Sequence, residues 1–133
     1  MPANRTIQLR LAPSSLAPAT ARGALARLGE TVEAETLEST ALLVSELVTN
    51  AVRHAGLRDG DWIELWVNAS PERVSVRVTD PGHGIARPPS LPRPERLSGW
   101  GLFLVGEIAD RWGIERTEDT RVWFEIDRTN RGG

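Results

Sequence analysis

Glu46-Leu47-Val48-Thr49-Asn50-Ala51-Val52-Arg53-His54 is the stretch on which the reading of this chain turns. Wound as a helix, it aligns Glu46, Asn50 and Arg53 in one polar stripe, with His54 slightly around the cylinder. Val44, Leu47, Val48, Ala51 and Ala55 then share an apolar side. The pattern extends upstream, so the helix is expected from about Val32 to Ala55, with Gly56 ending it.

Working outward from that helix, residues 6–11 alternate polar and apolar as a half-buried strand does. Pro13-Ser14-Ser15 supplies a stop and a helix cap, and a first helix follows from about Leu16 to Leu28. On the other side, Trp62 to Asn68 and Arg73 to Asp80 alternate around a Ser70-Pro71-Glu72 turn and predict a hairpin. Residues 85–98 contain Pro88, Pro89, Pro92 and Pro94, a composition that builds neither a helix nor a central strand, and are expected to form a loop. Leu102 to Asp110 restores helical spacing, and strands near Trp112 to Arg116 and Thr120 to Asp127 close the chain. This order predicts an α+β fold: a two-layer α/β sandwich with helices on one face of a mixed, mostly antiparallel sheet. The five Trp would help to cover the other, more open face.

Composition narrows the function classes. A length of 133 residues with 40% hydrophobic content suits one domain with one core, about residues 6–127. A net charge of -2 without a basic run argues against nucleic acid as a partner. No apolar segment is long enough to cross a bilayer and the N-terminus lacks a secretory pattern, so the expected compartment is the cytoplasm, with no membrane partner. Absence of Cys removes disulfides, thiolate catalysis and Cys-based zinc sites. All basic residues are Arg, so neither a P-loop lysine nor the strand lysine of a eukaryotic-type protein kinase is present.

Three clusters carry chemistry. Glu46 and Asn50 stand one helical turn apart and their oxygens converge on a small volume. Mg²⁺ keeps several waters and takes few protein oxygens when phosphates supply the rest, so Asn50 alone would serve as ligand. Glu46 would deprotonate a nucleophile, while Arg53 would neutralise phosphate charge and His54 line the same edge. The competing account is a solvated polar face on an amphipathic helix.

Asp80 shares the inward parity of Val74, Val76 and Val78, and a carboxylate aimed into a core needs a donor. The exocyclic amine of adenine would suit, although Asp-Pro-Gly is also ordinary turn chemistry. Gly82 and Gly84 allow close approach to a flat ring, and Thr120, on the parity of Val122, Phe124 and Ile126, would point its hydroxyl at the same base. A core Thr bonded to backbone is the plain alternative for Thr120, and His83 reads as an exposed loop residue. Gly99-Trp100-Gly101-Leu102 opens a helix, where free peptide N–H groups bind phosphate. No preceding strand or full Gly-x-Gly-x-x-Gly fingerprint accompanies it, which disfavours a dinucleotide fold.

Taken together, Glu46-x-x-x-Asn50-Ala51-x-x-His54, Asp80-x-Gly82-x-Gly84 and Gly99-x-Gly101-Leu102 resemble the ATPase superfamily that joins gyrase, heat-shock chaperones, histidine kinases and mismatch-repair ATPases. The small size, without a phosphoacceptor helix, looks most like its anti-sigma-factor serine/threonine kinases. The resemblance implies a Bergerat-type fold, ATP with Mg²⁺, Glu46 as catalytic base, Asn50 as magnesium ligand, Asp80 as adenine reader and an ATP lid between Gly84 and Gly101. It further implies an anti-anti-sigma-type protein substrate, a sigma factor as partner and a possible homodimer. The short, Pro-rich lid and Trp100 depart from the pattern. Two other readings stand beside kinase activity: a nucleotide-regulated interaction module using Trp62, Trp66 and Trp123, and a weak ATP hydrolase.

Overall fold

A computed structural model describes residues 4–54, 56–82 and 97–128, with the side chains of 54 and 97–101 excepted. Strand β1 (Arg5–Leu11) leads into helix α1 (Ala17–Leu25), which tightens into a 3₁₀ turn over Ala26–Leu28. Helix α2 (Ala34–His54) follows, then strands β2 (Ile63–Ala69) and β3 (Arg73–Asp80), helix α3 (Leu97–Ile108), and strands β4 (Arg111–Arg116) and β5 (Thr120–Asp127). The sheet order is β1-β2-β3-β5-β4, so β5 inserts between β3 and the edge strand β4.

The four described pairings are all antiparallel, in keeping with the mixed, mostly antiparallel sheet expected. The reason lies in the connections. Two tight hairpins, β2–β3 and β4–β5, reverse the chain, helices α1 and α2 return it from β1 to its antiparallel neighbour β2, and α3 carries it past β3 to β4, leaving room for β5 between them.

Alternation in each strand places one side chain set on the helix layer. Ile7 and Leu11, Ile63, Leu65, Val67 and Ala69, Val74, Val76 and Val78, and Phe124 and Ile126 are buried there. Leu43, Val44, Leu47, Val48 and Ala51 of α2, Ala21 and Leu25 of α1, and Val105 of α3 complete the same core. Each large aliphatic or aromatic side chain so buried contributes roughly 1.5–3 kcal/mol, which makes this layer the main source of stability. The apolar side expected for the Glu46 helix is therefore the core side, with the outcome for Ala55 lying outside the described residues.

Several boundaries differ from expectation. Leu16, not a Ser, is the N-cap of α1, and the Ser14 hydroxyl instead accepts from the Leu16 peptide N–H at 3.2 Å. Helix α3 begins at Leu97, five residues before Leu102, so Gly99, Trp100 and Gly101 lie within its opening turns and Leu97 and Ser98 leave the expected loop. Glycine costs about 1 kcal/mol in a helix interior, and packing of Val105 and Leu102 on the core outweighs that propensity.

The Trp residues do not act as one set. Trp66, Arg77 and Trp123 stand in one cross-strand row on the face away from the helices. The Arg77 guanidinium lies 4.0 Å from the Trp66 ring centroid, and Arg10 lies 4.5 Å from that of Trp62. Gly113 leaves room for Trp123, since a β-carbon there would meet its indole at 2.8 Å. Trp112 turns to the helix side instead, opposite Phe124 in register, with its indole beside Gly106 of α3.

Candidate functional site

The strand that ends at Asp80 carries a carboxylate into the core. Val74, Val76 and Val78 are buried on the same parity, and Asp80 itself is only 7% exposed. Its Oδ1 is fully enclosed and has no hydrogen-bond partner among the described residues. Burial pushes the carboxyl up to about 6, while the peptide N–H of Gly82 donates to it and opposes the rise. The charge of Asp119 adds to the rise and that of Arg116 reduces it. An orphaned buried acceptor costs on the order of 1–3 kcal/mol, so this pocket calls for a donor that the described residues do not supply.

Two further residues close on the same point. Thr120 is the register partner of Asp80 across the β3–β5 ladder. Gly82 has φ 67°, a left-handed conformation that favours glycine. A β-carbon at Gly82 would lie 2.8 Å from the Thr120 hydroxyl and 3.6 Å from Asp80 Oδ1. Glycine is thus demanded twice, by backbone conformation and by the space beside the carboxylate. Asp80, Gly82 and Thr120 thus stand together around one point. Gly84, the neighbouring His83 and most of the expected lid, residues 85–96, lie outside the described residues.

Helix α2 packs across β3 and β5 and carries the second cluster. Glu46 and Asn50 are half-buried at its margin and Arg53 is exposed. The polar stripe therefore borders the core rather than lying wholly in water. His54 closes α2, with its side chain outside the described residues. Arg22 of α1 donates from Nη1 to the Ser45 hydroxyl at 2.9 Å, tying the two helices together next to Glu46. Sequence spacing within α2 alone carried no sign of this cross-helix partner.

The third cluster is the start of α3. The first peptide N–H groups of an α-helix lack intrahelical partners, and here they include those of residues 97–99, Gly99 among them. No acidic residue occupies this first turn, at the positive end of the helix dipole. Leu102 is half-buried and packs on the core. Arg116 and Asp119, whose charges bear on Asp80, were not anticipated. Only the β4–β5 register, which sets Arg116 opposite Thr120, brings them to the cradle.

The donor set discriminates among possible ligands. Among the described residues no group of three or more His, Asp or Glu converges to hold a metal by protein ligands alone. A cation at Asn50 would draw its remaining oxygens from phosphate and water, the usual arrangement for Mg²⁺. The enclosed Oδ1, flanked by a glycine wall, fits a flat base that offers an amine. No described helix is long and apolar enough to cross a membrane.

Comparison with known proteins agrees with this geometry. The chain is 35% identical over 82 residues to the uncharacterized protein SCO4941 of Streptomyces coelicolor, a match covering 59% of this chain and 75% of that protein. Its fold superposes with a TM-score of 0.72, at 20% identity, on the crystal structure of the RsbU and RsbW domains of Rv1364c from Mycobacterium tuberculosis. That match covers 96% of this chain and 34% of the mycobacterial chain, so the present chain spans about a third of that protein's length. A model of the histidine kinase-like ATPase domain matches residues 10–126. The chain belongs to the histidine kinase-like ATPase domain family, with the two-layer α+β architecture of its RsbW-type members.

Proposed function

We propose that the chain binds Mg-ATP and transfers its γ-phosphoryl group to a Ser or Thr hydroxyl of a small antagonist protein of the anti-anti-sigma type, holding a sigma factor in alternation. The observation that carries the nucleotide reading is the enclosed, unpartnered Oδ1 of Asp80 beside Gly82 and Thr120. Asp80 accepts from the adenine amine, and the Thr120 hydroxyl meets the same edge of the base. Guanine presents an oxygen where adenine presents that amine, so two acceptors would oppose each other and guanine is rejected.

For the chemistry, Glu46 accepts the proton of the substrate hydroxyl, the hydroxyl oxygen forms a bond to the γ-phosphorus, and the bond to the β-phosphate oxygen breaks to release ADP. Asn50 would hold Mg²⁺, which would neutralise phosphate charge. The peptide N–H groups at the start of α3 bind the phosphates, and Arg53 adds positive charge at the rim. The likeness in fold to a mycobacterial chain that contains an RsbW domain supports a regulatory partner of this kind.

Thermal shift of wild type and Asp80→Asn with Mg-ATP, Mg-ADP and Mg-GTP tests the site. Saturation at a hundred times Kd stabilises by about 2.7 kcal/mol. An adenine-selective shift that the variant lacks supports the reading, and no shift with any nucleotide sinks it. Transfer of labelled γ-phosphate to candidate antagonist proteins tests the chemistry, with Glu46→Ala expected to keep ATP binding and lose transfer. The outer row of Trp66, Arg77 and Trp123 favours a second reading, a nucleotide-regulated interaction module without kinase activity. Partner binding that survives Glu46→Ala, with no transfer by wild type, would select it.

A further inference from the structure

The cradle at Asp80 places two opposite demands on one carboxyl group. Enclosure without a partner for Oδ1 favours the neutral acid, whereas an amine donor bonds most strongly to the anion. A ligand that supplies the missing donor is therefore held most strongly by a carboxyl that has given up its proton.

We infer that adenine-nucleotide binding by this chain is coupled to release of a proton from Asp80, and that Asp119 in the β4–β5 turn sets the pH at which the coupling acts. The inference rests on the nucleotide reading above and adds its regulation. Free protein then divides between a protonated, binding-incompetent cradle and an ionised, competent one. Apparent affinity scales with the competent fraction, so it weakens as pH falls.

The neighbouring charges support the assignment. The β4–β5 hairpin presents Asp119, which resists ionisation, and Arg116, which promotes it. The ladder partners β2 and β5 carry Glu64 and Arg121 on the opposite parity, facing away with Thr79. Helix α2 contributes Glu46 and Arg53 at its margin, and Gly82 supplies a peptide N–H. Asp119 immediately precedes Thr120, the register partner of Asp80, in a turn closed by the Thr117 N–H donating to the Asp119 carbonyl at 3.0 Å. Removing the Asp119 charge takes away a local obstacle to ionisation without touching either cradle side chain.

Isothermal titration of the full chain with adenosine tests this directly, because adenosine carries no group that titrates between pH 5 and 8, unlike the phosphates of ATP. Affinity about tenfold weaker at pH 5 than at pH 7 is expected, with roughly half a proton released per adenosine near pH 6, read from buffers of different ionisation enthalpy. Asp119→Asn should move the midpoint to lower pH and leave affinity at pH 8 unchanged, and Arg116→Gln should move it upward. Asp80→Asn, where it binds at all, should be flat with pH. Affinity that is constant with pH and releases no proton overturns the coupling while leaving the nucleotide site intact. A midpoint unmoved in both turn variants overturns the role of Asp119. Absence of adenosine and Mg-ADP binding at every pH instead overturns the nucleotide reading itself.

Discussion

Gly82 and Thr120 stand so close that a β-carbon on the glycine would lie 2.8 Å from the threonine hydroxyl. The glycine also holds φ 67°, so its side chain is excluded on two independent counts. Gly82→Ala should destabilise the protein by about 1–2 kcal/mol and abolish the ATP-dependent thermal shift. Adding Thr120→Ala should recover the steric part alone, leaving the backbone cost of about 1 kcal/mol. Denaturant unfolding of the two single variants and the double variant measures both parts, and wild-type stability in Gly82→Ala would show that the cradle is looser than its geometry.

Asp80 should trade stability for binding. Its carboxyl is raised to about 6 in the folded protein, above its ordinary value of 3.8, so the folded state binds more protons between these values. Wild-type stability therefore falls as pH rises through this window. Asp80→Asn removes the buried charge and should stabilise the ligand-free protein by about 1–2 kcal/mol above pH 7, after allowance for solvent screening. The advantage should shrink between pH 6 and 4. Urea unfolding at pH 8 and pH 4.5 checks the sign, and a variant less stable than wild type at pH 8 would contradict the enclosure argument.

Asp80 was legible in the sequence because period-two alternation gives the direction of a strand side chain, and Val74, Val76 and Val78 left one parity for it. Thr120 followed by the same logic, and the ladder then supplied what alternation cannot, namely that the two residues are opposite each other. Arg116 and Asp119 stayed hidden because a turn brings charge to a site by register, and register is invisible within one strand. The start of α3 was misjudged for a different reason. Pro88, Pro89, Pro92 and Pro94 carried the expected loop on to Ser98, while the helix that buries Val105 already begins at Leu97. Trp112 likewise follows strand parity rather than the general tendency of Trp to cover an open face.

Arg128 joins three chain segments just past the end of β5. Its Nε donates to Glu33 Oε1 at 3.1 Å, its Nη1 to the Ser70 carbonyl at 2.7 Å and its Nη2 to the Thr31 carbonyl. The side chain is 11% exposed, so solvent replaces little of this if it is removed. Arg128→Ala should cost about 2–3 kcal/mol, and Arg128→Lys should recover little because an ammonium cannot span three acceptors in the guanidinium plane. The segments it joins are remote from the cradle in sequence, so ATP affinity of the folded variant should equal that of wild type. Thermal unfolding with and without Mg-ATP separates the two effects.

Asn50 offers the cleanest division between scaffold and site. It lies within the 21-residue helix α2, half-buried, and Ala is the better helix former at such a position by roughly 0.5 kcal/mol. A purely structural Asn50 would therefore give an Asn50→Ala variant of equal or slightly higher stability and unchanged ligand response. If Asn50 holds Mg²⁺ on the phosphates, the same variant should keep its stability, bind ADP in EDTA as wild type does, and lose the gain in ATP affinity that Mg²⁺ confers. The adenine contacts proposed for Asp80, Gly82 and Thr120 do not involve this residue, so the metal-independent part of binding serves as the internal control. Titrations of both proteins with ATP in Mg²⁺ and in EDTA give four affinities. A wild-type magnesium gain in Asn50→Ala would move the ligand role to another oxygen, whereas its loss with EDTA affinity intact fixes the role at Asn50.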